Sequence, residues 1–277
     1  MTTQIESAAA IRLGSFVAVF AVMTLWELLA PRRSLSTSKT PRWGSNLGLV
    51  VLNTLSLRFL VPMGLVGVTY LAQSKDWGLF HWLETPYWLA VLVSVILLDL
   101  VIYWQHVLFH LVPFLWRFHL VHHADLDIDV TTGLRFHTIE IFLSLGIKAV
   151  AIVLLGAPPV AVVAFEVLLN ATSMFNHSNV QLALGIDAVL RWLVVTPDMH
   201  RVHHSWRERE TNSNYGFNLP WWDRLFRTYR AQPQDGHLGM TIGLKQIRDE
   251  QQAERLHWML ALPFTTDPSP TSEEPQE

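Results

Sequence analysis

Residues 86–123 read PYWLAVLVSVILLDLVIYWQHVLFHLVPFLWRFHLVHH. The apolar run 86–112 is long enough for a membrane-spanning helix, which needs roughly 20 apolar residues. His106 and His110 stand four apart at its end, and positions i and i+4 of a helix share one face. Just beyond come His119, His122 and His123, and their spacing returns as His200, His203 and His204. Eight of the 13 histidines therefore fall into three clusters, HxxxH, HxxHH and HxxHH, each at or just past the end of a long apolar segment.

The chain of 277 residues is 51% hydrophobic and only 16% charged, with a mean hydropathy of +0.27. That is too apolar for an ordinary soluble domain. A net charge of −3 gives no footprint for nucleic acid. The absence of cysteine excludes disulfides, thiolate zinc sites and cysteine-held iron–sulfur clusters. Residues 8–30 form another candidate span, with no small-residue cleavage site behind it that would mark a signal peptide. Residues 46–72 are a further candidate, interrupted by Asn53, Arg58 and Pro62. Residues 139–175 suit two helices with a turn at Gly156-Ala157-Pro158-Pro159, since prolines end one helix and open the next. Each arm is somewhat short, so a full crossing and a partial hairpin both stay open.

Basic residues mark the cytoplasmic side of a membrane. Arg32, Arg33, Lys39 and Arg42 follow the first span, Arg117 and Arg135 the third, and seven arginines from Arg191 to Arg230 the hairpin, whereas Lys75 stands alone after the second. The N-terminus is thus expected outside, and all three histidine clusters in the cytoplasm. Charge and histidine placement are independent signals, and they agree. Residues 242–262, with Ile242, Ile247, Leu256, Trp258 and Met259, read as an amphipathic helix on the membrane surface. Residues 264–277 read as a disordered acidic tail.

With cysteine absent, imidazole is the obvious ligand for a transition metal, and it suits iron, zinc, copper and nickel. The adjacent pairs His122–His123 and His203–His204 diverge by about 100° on a helix, so each pair reaches two different ions. Eight nitrogens exceed the needs of one ion, and two metals are expected. Packed neutral histidines have no reason to repeat HxxHH. Asp99, Tyr103, His106 and His110 form one helical stripe. Asp99 either orients a ligating histidine or pairs with Arg58, and both readings stay open. His137 and His177 lie where the hairpin enters and leaves the membrane, and location makes both further candidates. His81, His237 and His257 have no such support.

These boxes, together with the segments Trp116–His123, Asn176–Asn179, Thr196–His204, Asn214–Gly216 and Trp222–Phe226, resemble the fatty acid hydroxylase/sterol desaturase superfamily. The segment at His137 departs from it, reading His-Thr where many relatives carry His-Pro. The resemblance implies an all-α integral membrane protein of about four transmembrane or hairpin helices, with a cytoplasmic helical cap carrying a histidine-rich dimetal site. The match covers roughly residues 95–230, expected as the catalytic domain, with the N-terminal spans over 1–94 before it and a C-terminal amphipathic segment over 231–263 after it. It further implies two non-haem irons held by the eight clustered histidines, with His177 and His137 as additional ligands. Asp99, Asn176 and Asn214 are the other site residues expected. The implied reaction uses O2 to hydroxylate or desaturate a C–H bond of a lipid such as a sterol or fatty acyl chain. No GxGxxG follows a strand, so electrons must come from an external electron-transfer protein. The Arg-rich segment Arg201–Arg230 reads either as ordinary positive-inside charge or as a site for a polar headgroup or acidic redox partner. A histidine-rich membrane metal-binding or transport protein is the competing class. A transporter, however, places its ligands near the bilayer midplane on broken helices.

Overall fold

The computed structural model describes residues 2–265, and it is helical throughout. Helices α1 (Thr2–Leu29), α2 (Lys39–Leu60) and α3 (Gly64–Ser74) are followed by a single turn, α4 (Leu79–Trp82). Helix α5 (Tyr87–Leu111) passes almost directly into α6 (Pro113–His123), with Pro113 at the first helical position, where its missing N–H costs nothing. Helices α7 (Thr138–Leu155) and α8 (Pro159–Asn176) form the expected hairpin, and Gly156 caps α7 in the left-handed conformation, φ +69°. Short helices α9 (Leu184–Leu190), α10 (Pro197–His203), α11 (Glu208–Thr211), α12 (Trp221–Leu225) and α13 (Gly236–Gly239) build a cap over one end of the bundle. Helices α14 (Glu250–Glu254) and α15 (Leu256–Thr265) close the chain. Among the described residues β pairing is limited to isolated bridges.

Five segments are long and apolar enough to cross a membrane: Ile5–Leu29, Lys39–Trp82, Tyr87–Leu111, Thr138–Leu155 and Pro159–Asn176. The expected span 46–72 differs in detail. It begins earlier, at Lys39, and breaks between α2 and α3 around Pro62, which has no N–H for the helical ladder. Asn53, an apparent blemish in that span, joins two helices instead. Its amide donates to the Phe136 carbonyl at 2.9 Å and its oxygen accepts from Thr138 Oγ1 at 2.7 Å, fixing the start of α7.

The C-terminal ends of α1 and α8 and the N-terminal ends of α2 and α7 converge on the buried segment 124–136. This loop carries three buried aspartates, all satisfied. Asp127 accepts from the backbone of Ser36 and Thr37 at 2.7 and 2.8 Å. Asp125 and Asp129 both grip the fully buried Arg42. Glu27, at the end of α1, accepts from the backbone of Val130 and Asn179 at 2.7 and 2.6 Å. Arg42 therefore belongs to the first turn of α2 and to the interior rather than to a charged loop.

The C-terminal segment also differs from expectation. Residues 242–262 do not form one surface helix. Ile242, Ile247 and Met259 are buried, and α14 and α15 pack onto α2 and α6 in a core shared with Leu49, Leu120 and Val121. Phe264, assigned to the tail by composition, lies within α15, while 266–277 fall outside the described residues. Arg135 locks this segment in place, donating to Glu254 at 3.0 Å, to the Val121 carbonyl at 2.8 Å and to the Ala253 carbonyl.

Removing one partner of a buried ion pair strands the other charge at a cost of about 3–5 kcal/mol, whereas apolar replacement of both is often close to neutral. Arg135→Ala should lower stability in that range in denaturant unfolding of the detergent-solubilised protein, and Arg135→Met with Glu254→Leu should recover most of it. A single variant as stable as the parent would contradict this role.

Candidate dimetal centre

Four elements bring nine histidines together. His106 and His110 occupy the last two turns of α5, and His119, His122 and His123 lie on α6. His177 caps α8, and α10 supplies His200 and His203 with His204 as its cap residue. Helix α10 starts at Thr196, whose hydroxyl accepts from Met199 N at 3.3 Å, and continues with Pro197. Gly133 passes so close to α8 that a Cβ there would lie 2.5 Å from the Ser173 carbonyl and 3.1 Å from His177 Nδ1, so only glycine leaves room for that ring.

The side chains sort into two groups. In one, nitrogens of His106, His110, His119, His123 and His203 all lie within 4.8 Å of one another; in the other, those of His122, His177, His200 and His204 do. Each HxxHH is thus divided between the groups, His119 and His123 against His122, and His203 against His200 and His204. The adjacent rings are almost perpendicular, 87° for His122–His123 and 83° for His203–His204. The assignment of adjacent residues to different groups is the divergence expected from helical geometry.

Most rings are held by their Nδ1 side. Nδ1–H donates to Tyr215 O from His106 (2.8 Å), to Ser213 O from His203 (2.8 Å), to Ser173 O from His177 (2.7 Å) and to Arg135 O from His122 (3.3 Å). His119 Nδ1 meets Glu140 Oε1 at 2.7 Å and His110 Nδ1 meets Asn212 Oδ1 at 3.3 Å. A carbonyl only accepts, so these contacts place the proton on Nδ1 and leave the Nε2 lone pair free. The Nε2 atoms of His106, His110, His119, His123 and His203 are buried without a hydrogen-bond partner. In the second group His177 Nε2 stands 3.0 Å from both His122 Nε2 and His200 Nε2. Lone pairs crowded this way repel unless a cation lies among them. A buried polar atom without a partner costs free energy, and the five orphaned Nε2 atoms of the first group lie among one another.

Burial keeps the rings neutral. It pushes His119 and His177 down to about 3, against an ordinary 6.5. His122, His123, His200, His203 and His204 are driven well below the ordinary value by burial first and by neighbouring imidazoles second. Neutral imidazole is the ligating form. The donor set therefore fits two ions of the kind that imidazole binds, with no carboxylate in either group.

Other expected site residues lie elsewhere. His137 is outside both groups. It caps α7, its Nδ1 accepting from Ile139 N at 3.2 Å, and its ring lies 5.5 Å from Phe118. Asp99 reaches neither a histidine nor Arg58. It accepts from the backbone of Asn218 and Leu219 at 3.3 and 3.2 Å and from Trp222 Nε1 at 2.8 Å, so it anchors the cap to α5. Asn176 donates to Phe217 O at 3.0 Å. Asn214, in the left-handed region at φ +52°, donates to Met199 O and Arg230 O and accepts from Arg230 N. These residues hold the backbone that carries the histidines.

Three contributors escaped the sequence reading. Glu140 supports His119, and its signal was available as a carboxylate in the first turn of a membrane helix. Phe136 stacks on His122 at 4.6 Å with the planes 9° apart, and Phe217 lies 6.2 Å from His106, His177 and His200. Nothing in the sequence separates these two phenylalanines from the other apolar residues. Of the nine histidines only His110 is partly exposed. It borders a cleft of about 190 Å³ with Trp116, Trp206, Asn212 and Lys245. Glu208 and Asn212 also line a neighbouring cleft with Arg209 and Arg230. The arginines between 201 and 230 divide: Arg201 is buried against Asp198, Arg207 pairs with Asp235 at 2.9 Å, and Arg209 and Arg230 face that second cleft.

Comparison with known proteins points the same way. The family model described as fatty acid hydroxylase matches residues 91–228. An ornithine lipid hydroxylase of Rhizobium tropici is 31% identical over 152 residues, covering 54% of this chain and 45% of the relative. An alkylglycerol monooxygenase of Xenopus tropicalis is 29% identical over 203 residues, 71% of this chain and 43% of the relative. The cholesterol 25-hydroxylase of Rattus norvegicus is 26% identical over 200 residues, 66% and 65% of the two chains. The chain spans less than half the length of the first two relatives. No solved structure matches.

The depressed histidines give a pH dependence with a definite sign. With folded values of about 3 for His119 and His177 against 6.5 when exposed, the unfolded chain binds more protons inside that window. The histidine contribution to the stability of chelator-treated protein should be flat above about pH 7 and be lost as the pH is lowered through 6.5 toward 3. Unfolding midpoints of the parent and of His119→Gln measured across a pH series check this: the variant should gain on the parent as the pH is lowered, and a parent that gains on the variant contradicts it.

Proposed function

The chain belongs to the fatty acid hydroxylase/sterol desaturase superfamily, and on that premise we propose that it is a membrane-bound non-haem diiron oxygenase that hydroxylates a C–H bond of a lipid. The observation that carries the proposal is the sorting of nine neutral imidazoles into two adjoining groups whose nitrogens converge. His106, His110, His119, His123 and His203 would hold one iron, and His122, His177, His200 and His204 the other. When bound, the iron pair supplies the redox chemistry for R–H + O2 + 2 e⁻ + 2 H⁺ → R–OH + H2O.

The protein's own residues supply position and dryness. The backbone carbonyls at Nδ1 set the tautomer and aim each Nε2. Glu140 does the same for His119 from α7. Phe136 and Phe217 cover the rings with apolar surface, which keeps water from the buried nitrogens. Electrons come from an external donor protein, and the cleft lined by His110 brings the surface to one of the ligands. Arg209 and Arg230 beside it favour an acidic partner.

The catalytic unit is residues 95–230, preceded by the N-terminal helices over 1–94. The segment 231–263 braces it through Glu254 and Arg135. The five apolar segments span the membrane with the histidine end in the cytoplasm. Arg32, Arg33, Arg117 and the cap arginines lie toward that end, while Lys75 is close to the other. A transport role is less well supported, because the nitrogen groups sit at the helix ends rather than at mid-membrane.

Supplied with candidate lipids, a donor system and ¹⁸O2, the iron-loaded protein should place one labelled oxygen in the product. His203→Ala and His177→Ala should each lower both iron content and turnover. Glu140→Ala should weaken iron binding by about 10–100-fold, the usual cost of losing a hydrogen-bond partner behind a ligand. Unchanged lipid turnover in a metal-free His203→Ala protein would reject the proposal.

A further inference from the structure

We infer that the edge of the cap formed by α9 and α12 is a membrane-surface element, seated in the headgroup layer of the bilayer that holds the long helices. Helix α9 is inside out for a water-facing helix. Its only charged residue, Asp187, is buried and accepts from Arg191 Nε and Thr196 Oγ1, both at 2.6 Å. Leu184, Ile186 and Val189 point outward instead, 77%, 56% and 63% exposed. A hydrophobic residue exposed singly is ordinary, whereas a contiguous patch marks an interaction site.

This patch is contiguous. Trp192 and Leu193 follow α9 and are both 60% exposed. Trp221, also exposed, ties α12 to them by donating from Nε1 to the Trp192 carbonyl at 2.7 Å. Leu225 extends the patch along α12. Next to it, Phe226 packs 4.8 Å from Trp104 on α5, and Trp104 stands one turn before Leu108 on the exposed face of that helix. The patch therefore continues the lipid-facing surface of α5 without a break.

Continuity with α5 commits the patch to lipid rather than to a second copy of the chain. Arg224 supports the same partner. Its guanidinium lies between the Trp192 and Tyr229 rings, 3.7 and 4.2 Å from their centroids. An arginine whose stem is covered by aromatic rings beside an apolar patch suits the boundary between acyl chains and phosphates, where tryptophan and tyrosine also collect. The consequence for the centre is depth. Asp99 ties Asn218, Leu219 and Trp222 to α5. A cap edge resting on the headgroups would thus fix how far His106 stands above the acyl chains.

The inference rests on the reading of the five long helices as membrane spans, and the test separates the two. The chain has no cysteine, so a single introduced cysteine can carry a nitroxide label without competition. Leu193→Cys, Leu92→Cys on the exposed face of α5 and Gln246→Cys in the His110 cleft would be labelled in the full chain. Each would be reconstituted into vesicles of phosphatidylcholine and phosphatidylglycerol. Collision with dissolved O2, which concentrates in lipid, should exceed collision with a water-soluble nickel chelate at positions 92 and 193. The order should reverse at position 246. A label at 193 that collides like the one at 246, with 92 still in lipid, overturns the inference alone. Aqueous behaviour at 92 overturns the membrane reading itself. Dipolar coupling between labels at 193 on two chains would show a second copy on the patch and also overturn the inference.

Discussion

Everything in this protein is arranged around nine neutral imidazoles whose lone pairs point at one another. Such an array is unfavourable by itself, because the nitrogens are removed from water and have no donor to meet. It persists because most of the rings are fixed from behind. Most of those fixings are backbone carbonyls, at Tyr215, Ser213, Ser173 and Arg135, and a carbonyl cannot rotate away as a side chain can. The array is thus as rigid as the loops that carry those carbonyls.

The loops are stiffened in turn by ions placed where they cannot hydrate. Arg42 is clasped by Asp125 and Asp129, and Arg135 by Glu254 and two carbonyls. Buried ion pairs are weak sources of net stability, since desolvation offsets most of their attraction. Their value here is geometric. Segment 124–136 connects α6 to α7 and supplies the carbonyl behind His122, the ring of Phe136 and Gly133 beside His177. A hydrophobic core under the same loop would allow several packings, whereas directional ion pairs allow few.

Much of this was legible in the sequence, and the reasons differ by feature. The three boxes were readable because helical periodicity turns spacing into direction. The split of each HxxHH between two centres follows from the same rule and is realised in the two nitrogen groups. The hairpin was readable from Gly156 and the two prolines. Asp99 and Asn53 were misread in kind, because a polar residue in an apolar run announces a partner without naming it, and their partners lie far away in sequence. Arg42 was counted as loop charge for the same reason: charge is visible in a sequence, but burial is not. The C-terminal segment has the composition of a surface helix, and only the groove between α2 and α6 makes it an interior one.

The order of the ligands along the chain has a consequence for biogenesis. Four of the five histidines of the first group, His106, His110, His119 and His123, lie within one short stretch spanning α5 and α6, whereas the second group has only His122 there. During synthesis four of the first group's five ligands are made before the hairpin of α7 and α8 exists, whereas the second group waits for that hairpin to deliver His177 and for α10 to follow. The groups that hold the early rings, Glu140, Asn212 and Tyr215, are also made later, so the order of synthesis delivers the ligands first and their rigidity last.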